Sequence, residues 1–279
     1  MEPEIVKTTI TPLKDLLPEV YGDALKPGMK AVGHAVGDAL EMCLLPITAL
    51  GYIPKVVKAC LEKHLHSFEE NLNKISEEKK ADIHPQISIP VIQKLLYTTN
   101  DAIAELFINL LTSSANIDMC SNAHPGFVEI ISQLSPDEAK IIKYLKGKDD
   151  IQYAEIKAYV KNGNGYNSYL EKSTLVPFLI NLDFPQNIGA YYSNLIRLGI
   201  IEDKAGTYKI ANNIYDEIAA KYNFKEYEKL VPDHFKKIVI DKSYYEVTPF
   251  GKLFITACCT NISFANLKGD AQPLLKFFD

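Results

Sequence analysis

The sequence predicts a mainly α-helical protein, in which an N-terminal multi-helix domain precedes an α+β domain that resembles a winged helix. Three observations predict this fold class: a long apolar stripe at helical spacing around residue 65, two short helices with separate start signals after residue 123, and strand-like segments between helices after residue 148. The expected boundaries are 1–84 for an N-terminal helical segment, 85–148 for a helical core and 149–279 for the winged-helix-like part.

The segment from Ala31 to Pro54 predicts an apolar helical hairpin built on small residues, because glycine and alanine recur every four positions. Such ridges let two helix backbones approach closely. A membrane span needs about 20 apolar residues, whereas the longest uncharged run of this segment, Met42–Pro54, has 13. Three alternatives remain: a hairpin packed inside the protein, one that inserts into a membrane conditionally, and a constitutive span. The residues singled out are Gly33, Gly37, Leu44, Leu45 and Pro46.

An amphipathic helix is predicted next. Its stripe has spacings of three and four residues, with charged residues between, and consists of Val57, Leu61, Leu65, Phe68, Leu72 and Ile75. This pattern is typical of a helix that packs on its own domain, and a coiled-coil seam is the alternative. A polar linker over 76–88 and helices near 89–98 and 101–115 follow.

The run from Ala123 to Leu145 predicts two short apolar helices. Pro125 begins the first. Ser135-Pro136-Asp137-Glu138 begins the second, with a serine cap, a proline at the first helical position and a glutamate three residues after the cap.

After residue 148 the pattern changes to strands mixed with helices. We expect a strand over 151–156, a turn over 162–165, and a helix over 187–198 that ends at Gly199. Ile200-Ile201 and 208–210 are strand-like. We further expect a hairpin of 237–240 with 244–247 around a turn at 241–243, and a last helix from Pro249. This order is similar to a winged helix.

The winged-helix-like part raises the question of DNA binding. Its expected recognition helix offers Tyr191, Tyr192, Asn194 and Arg197. Phosphate contacts dominate DNA affinity, yet Arg197 is the chain's only arginine and the net charge is −5. Nucleic acid is therefore a disfavoured partner, and helix–helix contacts with a protein partner or with the N-terminal half of the chain are preferred.

Motifs that carry known chemistry are missing from the sequence. It contains no G-x-S-x-G, H-E-x-x-H, phosphate-binding loop or C-x-x-C. His124 is expected to cap a helix or bond locally. The five cysteines are expected to be reduced thiols, and Met1-Glu2-Pro3-Glu4 lacks the basic start of a signal peptide, so a cytoplasmic protein is expected. We expect no metal and no cofactor, and consider an enzyme improbable, although a site built from distant residues stays open.

Three blocks of sequence resemble the abortive infection alpha family of bacterial proteins. They are 20–37 with its continuation through Leu45-Pro46-Ile47 and Leu50-Gly51-Tyr52, then 106–114, and 123–139. The resemblance implies a role in defence against bacteriophage, in which an infected cell stops growing or dies before the phage matures. It implies no catalytic residues and no cofactor. The motif residues His124, Pro125 and Phe127 are the positions most worth mutating.

The leading hypothesis is a non-enzymatic anti-phage protein that releases the 31–54 hairpin to a membrane or a protein partner when a phage-derived trigger arrives. A homo-oligomer is also considered. The rival hypothesis is a winged-helix transcriptional regulator.

Overall fold

The computed structural model describes residues 36–40, 42–44, 55–161, 165–210, 213–230, 232 and 235–259. The described residues do not include Gly33, Leu45, Pro46 or residues 162–164 of the predicted turn. The helices are α1 Lys55–Leu72, α2 Pro85–Leu95, α3 Asp101–Ser114, α4 Phe127–Ser132, α5 Pro136–Tyr144, α6 Val176–Leu179, α7 Ile188–Arg197, α8 Ile214–Lys221, α9 Phe224–Leu230 and α10 Pro249–Cys259. The strands are β1 Asp150–Val160, β2 Tyr166–Ser173, β3 Ile201–Asp203 and β4 Phe235–Val247.

The predicted combination of a helix-rich part with an α+β part is confirmed. The stripe of α1 faces inward as its spacing predicts, with Leu61, Phe68 and Leu72 fully buried. At α5, the Ser135 hydroxyl accepts from the Glu138 N–H while the Glu138 carboxylate accepts from the Ser135 N–H, so the predicted capping box is present. Gly199 has a φ of +72° directly after α7, as expected for a glycine that ends a helix.

Two helix starts differ from the prediction. The expected linker over 76–88 is too long, because α2 already begins at Pro85. The His84 Nδ1 caps it by accepting from the Gln86 N–H at 3.2 Å. Helix α4, by contrast, begins later than predicted, at Phe127 instead of Pro125. Pro125 and Gly126 form a turn in which the Phe127 N–H donates to the His124 carbonyl.

The sheet differs most from the prediction. It is antiparallel with strand order β2-β1-β4-β3. The predicted hairpin around 241–243 is wrong, because β4 runs straight through this stretch and pairs with β1, Asp241 lying opposite Glu155. Lys157 bridges these two carboxylates, at 3.0 Å from Asp241 and 2.7 Å from Glu155, so the pairing stabilises polar residues that would favour a turn in isolation. The predicted strand at 208–210 is also wrong, since this stretch is irregular.

One apolar core connects most of these elements. It runs from the helical residues 36–40 and 42–44 through α1–α5 and α7 to the inner side of β1 and β4, and it includes α10. A smaller core lies between the sheet and the helices α8 and α9. The last helix, although it follows the sheet in sequence, therefore packs within the helical part.

Candidate functional site

The motif residues His124 and Phe127 lie against the start of α10. The Phe127 ring is fully buried, and its centroid is 5.3 Å from that of Phe250 and 5.1 Å from that of Phe254, both edge-on. The exposed His124 ring covers this cluster at 5.6 Å from Phe127 and 6.1 Å from Phe250. Such edge-to-face aromatic pairs add about 0.5–1.5 kcal/mol beyond the burial of their surface. The motif thus attaches α4 to α10.

His124 has the local hydrogen bond that the sequence predicts. Its Nδ1 accepts from the Gly126 N–H at 3.0 Å, so the neutral ring carries its proton on Nε2. A Cβ at Gly126 would lie 3.0 Å from this Nδ1. A larger residue there would therefore have to shift the exposed histidine ring. Within the described part of the chain, His124 makes no hydrogen bond to a carboxylate or a nucleophile. The geometry supports a local structural hydrogen bond in the turn before α4, and not a cap of that helix.

The first turn of α10 packs against the junction between α7 and β3. The Thr248 hydroxyl donates to the Gly199 carbonyl at 2.5 Å and accepts from the Gly251 N–H at 2.8 Å, so it caps the helix. Gly251 lies so close to the Ile200 carbonyl oxygen that a Cβ would collide with it. Only glycine fits this contact without a shift of the backbone.

The last turn of α10 is held by α3, at polar residues of the 106–114 block. The Asn109 amide donates to the Cys258 carbonyl at 2.9 Å, and the Ser113 hydroxyl donates to the Ala257 carbonyl at 2.8 Å. Carbonyls in the last turn of a helix lack a partner within the helix, and burial without one is costly. Asn109 and Ser113 are themselves buried, so this block supplies the buried C-terminal cap of α10.

Asp137 connects α5 to the loop before α7. Its carboxylate, 2% exposed, accepts from the backbone N–H groups of Asp183 and Phe184, both at 2.8 Å. It also accepts from the Tyr191 hydroxyl at 3.0 Å and from the Lys140 ammonium at 3.0 Å. Four donors converge on one buried carboxylate, which makes it the main polar connection between the 123–139 block and the α7 region.

These donors determine the acidity of Asp137. Burial raises the pKa of its carboxyl, but the two backbone N–H groups, Lys140 and Tyr191 together outweigh this effect. The pKa of Asp137 therefore lies below its ordinary value, and the group is ionised at neutral pH.

Three of the four residues of the expected recognition helix face the protein. Tyr191 and Tyr192 are buried, and the Tyr192 hydroxyl bonds to that of Thr174 at 3.0 Å. The Asn194 amide donates to Glu138 at 2.8 Å, and its oxygen accepts from the exposed Arg197 of the same helix at 2.6 Å. The helix contacts α5 through Tyr191 and Asn194, which are therefore not available for base contacts.

Two of the hairpin residues lie in described segments. Leu44 is fully buried in the main core, and nearby the Cys43 thiol donates to the Ile89 carbonyl of α2 at 3.6 Å. A Cβ at Gly37 would meet no described atom within 4 Å. The close helix approach expected at the glycine ridge is therefore not seen at this position.

The described residues give few groups for chemistry. They contain no cluster of three or more histidine, cysteine, aspartate or glutamate side chains that could hold a metal ion. Burial raises the pKa of the Cys259 thiol to about 12, and burial also raises that of Cys258. Both thiols are inert at neutral pH. In the part of the chain that is described, no helix is long and apolar enough to cross a membrane.

Several residues that build this region could not be singled out from the sequence. Phe250, Phe254 and Gly251 have no local signal, because their partners lie in other elements. Asp137 had a partial signal, as part of the predicted helix start. A carboxylate at the second position of a helix usually faces solvent and the N-terminal N–H groups, so its role in binding a distant loop is not visible in the sequence.

Comparison with known proteins gives one family. The family model described as abortive infection alpha matches residues 60–258, which include α3, α5 and all of α10 except its last residue. No curated protein matches. A solved structure of an uncharacterised protein from the marine bacterium Alcanivorax borkumensis SK2 is 15% identical, with a TM-score of 0.33 over 48% of this chain and 92% of that one, and supports no conclusion. The family match extends over most of the sequence, and the chain belongs to the abortive infection alpha family.

Proposed function

We propose that this chain is a bacterial anti-phage protein that acts in the cytoplasm without enzymatic chemistry. Family membership suggests abortive infection defence. In our proposal the segment around residues 31–54 is held in the core at rest. Contact with a phage-derived protein releases it to a protein partner or to a membrane, and the cell stops growing before the phage matures.

The observation that carries this proposal is the burial of the described part of that segment. Val36, Ala39, Leu40 and Leu44 are fully buried in the main core. Burial of each large apolar side chain contributes about 1.5–3 kcal/mol. Release therefore has a substantial cost, which a trigger must offset by binding the released form better. Met42, by contrast, is 61% exposed, so the segment lies at the edge of the core.

A second observation supports a protein as the trigger. Three large apolar side chains close in sequence are more than half exposed, namely Phe178, Leu179 and Phe184. Exposed apolar groups close together are typical of protein contact sites. The backbone N–H of Phe184 is one of the donors to Asp137. A partner that moves this loop would thus disturb the connection to α5.

Defence is tested by infecting cells that express the chain at low and at high ratios of phage to cells. Abortive defence predicts survival of the culture at the low ratio and collapse at the high ratio. Absence of protection against a broad phage panel would contradict the proposed function.

Release is tested by thiol alkylation in the same cells before and during infection. Burial raises the pKa of Cys43, so we expect slow labelling at rest. Exposed Cys120 is the internal control and should label quickly throughout. Release predicts that Cys43 labelling accelerates on infection while that of Cys120 is unchanged. An unchanged Cys43 rate in protected cells would contradict the release mechanism and leave the defence role intact.

A further inference from the structure

A cleft of about 390 Å³ lies between α1 and α3, apart from His124 and Phe127 but lined in part by Asn109 of the 106–114 block. Its floor includes His64 and Asn109, and its walls carry Lys63 and Asp101 at one end and Glu70 and Lys74 at the other. From residue 63 to the end of α1 at Leu72 the wall extends over about 14 Å at the helical rise. The volume is within the range of small-molecule sites, about 300–1,000 Å³.

His64 presents a hydrogen-bond acceptor to this cleft. The side chain is only 3% exposed, and its Nδ1 lies 3.1 Å from the Leu95 carbonyl oxygen. A carbonyl only accepts, so Nδ1 carries the proton. Burial lowers the pKa of His64, against the opposing effect of this carbonyl, and the ring is neutral at pH 7. Its Nε2 therefore has a lone pair, and no described residue donates to it.

Asn109 presents a second acceptor. The residue is 2% exposed, and its amide nitrogen already donates to the Cys258 carbonyl, which fixes the orientation of the side-chain amide. The Oδ1 atom receives no hydrogen bond from any described residue. Some side-chain atoms in the described part of the chain are fully buried and have no hydrogen-bond partner. Neither the Asn109 Oδ1 nor the His64 Nε2 is one of these atoms. Both acceptors are thus open to the cleft that their side chains line.

The ends of the cleft already bind ammonium groups of the chain itself. The Lys63 ammonium donates to Asp101 at 2.6 Å, and that of Lys74 donates to the Asn71 side chain at 2.9 Å. The carboxylate of Glu70 has one described ion-pair partner, the exposed His66 at 3.3 Å. The cleft therefore combines two buried acceptors, His64 and Asn109, with the carboxylate of Glu70 at one end. A complementary ligand needs several N–H donors and a positive charge.

We propose that this cleft binds a small aliphatic polyamine, whose ammonium groups donate to the His64 Nε2 and the Asn109 Oδ1 and pair with Glu70. An ammonium group has three donors and no acceptor, which matches a floor of acceptors. The methylene groups of the ligand would lie on Ala104 and Ile108, which complete the floor on the α3 side. This inference does not depend on a role in phage defence.

Isothermal titration of the full chain with spermidine tests the proposal, with Mg²⁺ as a cation that lacks N–H donors. We expect saturable 1:1 binding of spermidine that an excess of Mg²⁺ weakens only by screening. Glu70→Gln should weaken binding by up to about fivefold, since this carboxylate is mostly exposed. Ser67→Met, which extends a side chain into the cleft without removing a contact to another element, should weaken binding at least about tenfold.

The matched control is Glu129→Gln, an exposed carboxylate of α4 outside the cleft, which changes the net charge equally. It should bind spermidine like the unchanged protein. Absence of spermidine binding at millimolar concentration would overturn the proposal. Equal binding by all three variants, or full displacement by Mg²⁺ at equal charge, would instead indicate non-specific attraction and would overturn it as well.

Discussion

Replacing Asp137 with asparagine should weaken the connection between α5 and the α7 region. The carboxylate accepts four hydrogen bonds, two from backbone N–H groups, one from Tyr191 and one from Lys140. The asparagine oxygen accepts two at most, and its NH2 group faces the remaining donors. Hydrogen bonds to a charged group contribute about 1.5–3 kcal/mol each. Loss of two of them predicts that Asp137→Asn lowers the free energy of unfolding by about 3–5 kcal/mol.

Urea unfolding at pH 7, followed by circular dichroism, measures this difference. The control is Asp183→Asn, which removes a 56% exposed carboxylate that pairs with the same Lys140. We expect less than about 1 kcal/mol for this exposed pair. If the two variants were equally stable, the hydrogen bonds seen at Asp137 would not support the connection that we assign to it.

The ionisation of Asp137 also makes the stability of the protein depend on pH. Because the folded protein lowers the pKa of Asp137, the stabilisation is fully present above the ordinary value of 3.8 and is lost as the pH falls through the lower folded pKa. The difference between Asp137→Asn and the unchanged protein should therefore shrink below pH 4. A difference that stays constant from pH 7 to pH 3 would contradict the lowered pKa.

Three further predictions concern the helix α10 and the thiols. Gly251→Ala should lower the free energy of unfolding by about 1–3 kcal/mol, because the added Cβ collides with the Ile200 carbonyl. Gly189→Ala, in open space on α7, should instead raise the free energy of unfolding by about 0.5–1 kcal/mol, and thermal unfolding measures both changes. Ser113→Ala should lower the free energy of urea unfolding by about 1–3 kcal/mol, because it leaves a buried helix carbonyl without a donor; a change below about 0.5 kcal/mol would refute this cap. Cys259, with a pKa of about 12, should resist alkylation at pH 8 in the native protein while Cys120 reacts, and equal rates would contradict its burial.

Features with a local cause were predictable from the sequence. The Ser135–Glu138 capping box depends on residues three positions apart, and Gly199 ends α7 within one turn. The stripe of α1 follows from helical spacing alone. Each of these features would be favoured in a short peptide, which is why a local pattern is sufficient to predict it.

The sheet was harder to predict because its pairing is non-local. The stretch 241–243 is polar and would favour a turn, but β1 imposes a continuous partner strand on it. No strand is predicted over Tyr166–Ser173, since an exposed edge strand with tyrosine, asparagine, serine and lysine lacks a clear alternation. Tertiary pairing decides both cases.

The candidate site likewise combines features that depend on neighbouring residues with features that depend on distant ones. His124 and Phe127 could be singled out, and the local hydrogen bond of His124 is made to its neighbour Gly126. The aromatic partners of Phe127 are more than 120 residues away, in α10. The winged-helix interpretation of α7 depended on the order of elements, and order alone does not determine which face of a helix is buried.

The cap that α3 supplies to α10 has a consequence for how the chain is made. Asn109 and Ser113 bond to carbonyls 149 and 144 residues later in the sequence. On the ribosome, the helical half therefore remains incomplete until nearly all described residues have been synthesised. A nascent or prematurely terminated product would expose an aggregation-prone apolar surface that chaperones and proteases recognise. Quality control of this protein is thus decided late in translation, by the arrival of its last described helix.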